Sequence, residues 1–150
     1  MIIRDVIEAD TEALIKLGEG FHGRCNFKNY NINHDRISFI LKELISYDDV
    51  FSKAAWHGDK PIAMLFGEIV QDLSIDVFTA RTCLMYGEGP GLAPALALRK
   101  LVRMFEDWSR SRGANFMYLD ITGGVDDEKC ALLFSRSGFR QAGHPLMKEL

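Results

Sequence analysis

A chain of 150 residues that is 47% apolar and 26% charged suits one soluble domain, 1–150, with a single core. Its formal net charge of −3 argues against a dominant nucleic-acid surface, and no apolar run reaches the roughly 18 residues that a membrane helix needs. Cys25, Cys83 and Cys130 are odd in number and widely spaced, and His22, His34, His57 and His144 are scattered. The residues therefore predict reduced thiols in a cytoplasm-like compartment and no metal site.

The start, "MIIRDVIEAD", has no basic segment followed by an apolar one, so no signal peptide is expected. "IIRDVI" reads as a first strand. Asp10 is placed to cap a helix running through Phe21, with Leu14, Leu17 and Phe21 on one face. "GRCNFKNYN" is a polar loop. Ile37, Ile40, Leu41, Leu44 and Ile45 then recur at helical spacing behind a cap at Asn33 or Asp35.

From Val50 the pattern becomes extended. "VFSKAAWH" and "PIAMLFGEIV" flank the turn signal "GDKP" and read as a hairpin. "DVFTARTCLMY", rich in β-branched and aromatic residues, is a third extended run. "YGEGPGLAP" follows it. Pro94 suits a first helical turn, and Leu98, Leu101, Val102, Phe105 and Trp108 line one face of the helix it opens. Gly113 stands where that helix should end. "NFMYLDI" predicts a strand, "DDEKCALLFSRSGF" a shorter helix ended by Gly138, and "RQAGHPLMKEL" a last strand or two. The order β-α-α-β-β-β-α-β-α-β implies an α/β fold, a mixed sheet with helices over it and one right-handed crossover near the C-terminus.

The glycine loop between strand and helix has two readings. Unpartnered N–H groups at the helix start, with glycines beside them, allow close approach of a phosphate. "GEGPGLAP" nevertheless lacks the G-K-[ST] of a Walker A loop, and Leu92 stands where a dinucleotide fingerprint opened at Gly87 needs its third glycine. Pro90 and Pro94 remove two donors, so a plain turn is the other reading.

Three stretches resemble the GNAT family, the N-acetyltransferases that use acetyl-CoA: "CLMYGEGPGLAPALALRKLVRMFEDWSRSRGA", "NFMYLDIT" and "DDEKCALLFSRSGFRQAG". The third looks like the family's N-x-x-A-x-x-L-Y-x-x-x-G-F segment, and "IIRDVIEADTEALIKL" looks like its usual first strand and helix. "FEDWSRSRGA" and "GHPLMKEL" are especially similar to compact acetyltransferase-like proteins of bacteriophages.

The resemblance implies a mostly antiparallel central sheet flanked by about four helices. It also implies a β-bulge that splays the fourth strand from the fifth. Acetyl-CoA, or coenzyme A, would then lie along Leu84, Met85 and Tyr86, with its pyrophosphate on a loop from Gly87 to Ala93 that includes Gly89, Gly91 and Leu92. A competing register puts that loop at "APALAL". Asp127 and Phe134 fall in the family's last-helix motif, also beside the cofactor, at positions where Asn and Tyr are common. Tyr86 replaces the usual Gln or Arg.

Acyl transfer to an amine needs a neutral amine and a stabilised or protonated leaving thiolate. Phe134 cannot donate that proton as a phenol would. Candidates for acid–base work are Glu68, which interrupts an apolar strand, Asp76 and Tyr86; Asp120 and Tyr118 are further ones. Each has a plainer reading, as a solvent-facing carboxylate or a packing phenol. Cys83 reads as an inert thiol. Arg24, Phe27, Lys28 and Tyr30 occupy the loop that helps shape the acceptor site in this family, or simply a solvated loop.

Two functions remain open at this stage. One is an acetyl-CoA-dependent N-acetyltransferase acting on a small-molecule or protein amine, with no nucleic-acid or membrane partner. The other keeps the fold without the chemistry: a structural or assembly protein such as a phage particle component, with homo-oligomeric or virion partners, or a non-catalytic coenzyme A-binding module. The compartment is the cytoplasm for the first, and the host cytoplasm or the virion for a phage-encoded chain.

Overall fold

The computed structural model describes residues 1–121, 123–143 and 146–148. Five strands form one sheet in the order β1 (Ile2–Asp5), β2 (Phe51–His57), β3 (Lys60–Gln71), β4 (Phe78–Gly87) and β5 (Phe116–Tyr118). The first three pairings are antiparallel, and β4 with β5 is parallel. Helices α1 (Thr11–His22) and α2 (His34–Ser46) lie between β1 and β2 in sequence, α3 (Ala93–Ser111) between β4 and β5, and α4 (Asp127–Ser135) after β5.

β3 is the centre of the fold, buried from Pro61 to Gly67, as expected for a strand covered on both faces. Ala63 and Leu65 point into one core with Leu98, Leu101, Val102 and Phe105 of α3 and Phe134 of α4. Met64 and Phe66 point into the other, with Leu14 and Leu17 of α1 and Leu41 of α2. This alternation makes a three-layer sandwich: α1 and α2 on one face, α3 and α4 on the other. Gly67 faces Phe105, whose ring fills the space that a Cβ would need.

The predicted order agrees with the structure through α4, and three local details differ. Asp10 does not cap α1. A single 3-10 turn, Glu8–Asp10, precedes the helix, so Asp10 already has helical angles. Its carboxylate reaches backwards instead, accepting from the Ile7 N–H at 3.0 Å and from both Arg4 amino groups at 2.6 and 2.8 Å. The strand predicted over "NFMYLDI" shortens to three residues, because only Thr79–Arg81 of β4 offers it a partner. In the closing segment, 139–143 and 146–148 form no strand, and the rest of that predicted strand lies outside the described residues. The alternatives at α2 resolve to Asn33, whose Oδ1 accepts from the Arg36 N–H at 2.9 Å.

Candidate functional site

β4 changes its pairing halfway along. Phe66 of β3 faces Leu84, and its neighbour Gly67 faces Thr82, so Cys83 is an extra residue: a β-bulge. The bulge shifts the strand's alternation. Ala80 packs toward α3 before it and Met85 after it, while Leu84 and Tyr86 pack toward α1.

The pairing with β5 stops just short of the bulge, at Arg81 opposite Tyr118. Beyond that point a side chain replaces the ladder: the Asp120 N–H donates to Thr82 Oγ1 at 3.0 Å. Beyond it no ladder pairs the described residues of the two segments. The Glu88 N–H donates to the Ile62 carbonyl at 2.9 Å, which makes residues 84, 86 and 88 the ones bonded to β3. The same alternation turns the N–H and C=O of Met85 and Gly87 to the other side, into the split.

The strand then runs into the glycine loop. A Cβ at Gly87 would stand 3.1 Å from Pro94 Cβ and 3.2 Å from the Ile62 carbonyl, so only glycine lets α3 start this close to β4. Gly89 and Gly91 have φ of 140° and 72°, in the region that favours glycine. Leu92 is the N-cap of α3 and contributes no side-chain cap; the helical hydrogen bonds begin with the Leu96 N–H to the Leu92 carbonyl. The N–H groups of Leu92, Ala93 and Ala95 therefore precede the helical ladder, at the positive end of a 19-residue helix, and Pro94 has none. "APALAL" lies wholly within α3, so the loop before the helix is 88–92.

The α1 side of the split is covered. Phe21 stacks on Tyr86, with ring centroids 5.2 Å apart and planes at 17°. The Phe21 ring fills the place where Gly123 would carry a Cβ, and the Asn26 N–H donates to the Gly123 carbonyl at 3.0 Å. Arg24 makes an ion pair with Glu88. Residues 21–26 thus span from the end of β4 to the segment before α4.

The remaining predicted residues are dispersed. Tyr86 is partly buried: its hydroxyl fits against Gly18 and lies 3.5 Å from the Leu14 carbonyl, and burial pushes its pKa above the usual phenol range. Glu68 accepts from Arg81 Nε and Nη2 at 3.0 and 2.9 Å. Asp76 sits in the β3–β4 turn, at the opposite end of that ladder from Gly87, beside Gln71 Nε2 at 3.3 Å. The Asp127 carboxylate accepts from the Gly124 and Val125 N–H groups at 3.0 and 3.1 Å and so closes the turn before α4. Phe134 is 1% exposed and meets Phe139 edge-on at 6.1 Å. At the bulge, loss of hydration and then the Glu68 charge push the Cys83 thiol up to about 11, so it stays protonated at neutral pH.

Thr82, Phe21 and Glu88 make contacts around the end of the β4–β5 ladder and the glycine loop that the sequence did not single out. Phe21 read as one face of a helix, and Glu88 as a loop residue among glycines. Among the described residues no cluster of three or more His, Cys, Asp or Glu is arranged to hold a metal. No described helix is long and apolar enough to cross a membrane.

No protein-family model and no curated protein matches the sequence. Solved structures do. An acetyltransferase from Trypanosoma brucei shares 15% identity over 99% of both chains, with a TM-score of 0.73. An aminoglycoside 6'-N-acetyltransferase from Acinetobacter haemolyticus shares 15% over 100% of this chain and 98% of its own, at 0.72. A transcriptional regulator from Bacillus halodurans shares 15% over 99% of both chains, at 0.78. At such identities the likeness is one of fold alone, a GNAT-like fold: a mixed, mostly antiparallel sheet between two helical layers, with its fourth and fifth strands paired only at Thr79–Arg81.

Proposed function

We propose that the protein is an acetyl-CoA-dependent N-acetyltransferase whose acceptor is an amine. The observation that carries this reading is the half-paired β4: β5 leaves it after Arg81, and Met85 and Gly87 turn their peptide groups into the gap one step before the glycine loop. Acetyl-CoA, when bound, supplies the acetyl group as a thioester; transfer to a neutral amine forms an amide C–N bond, breaks the C–S bond, and leaves free thiol after the amine proton is given up.

The residues present fit such a group. Peptide groups of Met85 and Gly87 offer strand-like pairing to an amide-containing arm. The N–H groups of Leu92, Ala93 and Ala95 would hold its diphosphate, and Gly89 and Gly91 keep side chains out of the approach. Glu88 is directed at α1, where its stem lies against Gly20. The Met85 N–H is the donor best placed along β4 for a developing oxyanion. The Tyr86 hydroxyl is turned to α1, away from the gap, and Glu68 is engaged by Arg81 in an ion pair open to water. Proton transfer in this reading passes through water at the split.

Those same two facts, with the buried Phe134, favour a second reading: a GNAT fold kept without catalysis, as a structural or assembly protein or a coenzyme A-binding module. Thermal unfolding with and without acetyl-CoA separates the binders from the structural protein, because a ligand held only by the folded state raises the transition. Release of free thiol across a panel of amines then separates enzyme from module. No shift at millimolar acetyl-CoA would overturn both cofactor readings.

A further inference from the structure

We propose that Glu88 is the acceptor-binding carboxylate, that the Arg24 guanidinium is a built-in stand-in for the acceptor's charge, and that the acceptor is an amine carrying a second cationic group. This rests on the acetyltransferase reading above.

Arg24 and Glu88 are 64 residues apart, one just after α1 and the other just after β4. The site around their pair is shaped. Glu88 Cγ and Cδ would lie only 3.1 Å from a Cβ at Gly20, so the glycine makes room for the acidic side chain on the α1 face. Gly18, two residues earlier, does the same for the Tyr86 hydroxyl. Arg24 Nε donates to the Gly20 carbonyl at 3.3 Å. Asp126, before α4, is paired with Lys129 and also feels the Arg24 charge, which helps hold its carboxyl below the usual range. Glu88 is the carboxylate that meets this guanidinium, beside the Phe21–Tyr86 stack.

The cation is exchangeable. The Arg24 and Glu88 side chains are 49% and 37% exposed, and ion pairs so open to water are weak. A ligand cation that takes Glu88 from Arg24 removes the ion pair between the strap 21–26 and the end of β4 and leaves the Phe21–Tyr86 stack in place. The chemistry then selects the acceptor. The attacking nitrogen must be neutral, whereas the group at Glu88 must be charged, so a simple monoamine cannot satisfy both with one nitrogen. From Met85 to Glu88 is three residues of extended chain, about 10 Å, which gives the length scale for a probe with two amines.

The test pairs 1,8-diaminooctane with octylamine, the same chain with one amine fewer. Acetyl transfer is followed by thiol release, and binding of 1,8-diaminooctane alone by isothermal titration. The wild type is expected to prefer the diamine by about tenfold in kcat/KM, equivalent to ~1.4 kcal/mol. Arg24→Ala should lower the KM for the diamine about fivefold relative to octylamine and tighten its binding in the titration. Arg24→Lys, which keeps a cation there, should not gain the tighter diamine binding of Arg24→Ala. Glu88→Gln should bring the two amines within about twofold, and Arg24→Ala/Glu88→Gln should lose the diamine binding gained by Arg24→Ala. Melting curves of each variant confirm folding. Equal diamine binding by the wild type and Arg24→Ala, or binding that survives in the double variant, overturns the proposal. Absence of acetyl-CoA binding in the wild type overturns the acetyltransferase reading instead, and the diamine titration still decides the role of Glu88.

Discussion

The Asp120 N–H donates to Thr82 Oγ1 at 3.0 Å, across the point where β5 stops pairing with β4. One hydroxyl, 5% exposed as a residue, thereby replaces the next rung of a parallel ladder. It ties the two strands together where their ladder ends, and among the described residues no backbone rung joins them beyond it. Thr82→Val keeps the shape and removes the acceptor. The expected cost is about 1 kcal/mol in urea unfolding, with faster amide exchange at Asp120. Thr82→Ser should retain both. Unchanged exchange in the valine variant would mean that backbone packing, and not this bond, sets where the strands part.

The glycine loop should respond differently at two positions. Gly91 has φ of 72° with open space where a side chain would go, so Gly91→Ala costs backbone strain alone, about 1–2 kcal/mol. Gly87→Ala instead pushes a methyl against Pro94 and the Ile62 carbonyl, and forces the start of α3 away from β4. In the acetyltransferase reading, titration with acetyl-CoA should show a larger loss of affinity for Gly87→Ala than for Gly91→Ala.

Arg4 and Asp10 predict the acid limit of the fold. The hydrogen bonds from Arg4 hold the Asp10 carboxyl below the ordinary carboxylate range, against the opposing effect of burial. A carboxyl with a lowered folded pKa stabilises the fold above its unfolded value, near 3.9, and that contribution is lost as pH falls through the folded one. Arg4 is partly exposed, so Asp10→Asn should cost only about 1–2 kcal/mol at pH 7. The difference between variant and wild type should shrink below about pH 4, as read by urea unfolding across the pH range.

Tyr86 should matter for packing and not for proton transfer. Its hydroxyl has only a long contact to the Leu14 carbonyl, so Tyr86→Phe is expected to change stability by less than ~1 kcal/mol and leave the pH profile of thiol release unmoved. Burial has raised its pKa; the stability it contributes is complete below the unfolded value near 10 and falls as pH rises beyond it, because the unfolded chain ionises first. Tyr86→Phe should therefore flatten the alkaline limb of the unfolding curve.

Phe134→Tyr places a hydroxyl at a ring that is 1% exposed and packed edge-on to Phe139. The expected result is a loss of about 1–3 kcal/mol and no gain in acetyl transfer. A large rate gain would show that the ring edge has a route into the split and that the site lacked only an acid.

Much of the architecture was legible residue by residue. Helical spacing in "LRKLVRMFEDW" marks the buried face of α3, Asn33 or Asp35 the start of α2, and Gly113 the end of α3, where its φ is 79°. These are local properties, set by periodicity and by which dihedrals a residue tolerates, and they sufficed for the element order and the α/β class. The site itself depended on register and partners. Nothing in "ARTCLM" says that Cys83 is the bulged residue, nor does "NFMYLDI" say that pairing ends at Tyr118. Glu68 and Glu88 look alike in sequence. One is paired across a ladder with Arg81, and the other reaches an arginine 64 residues away. Which carboxylate meets which cation, and which amides are left facing the gap, follow from how distant segments pack, and that only the tertiary structure decided.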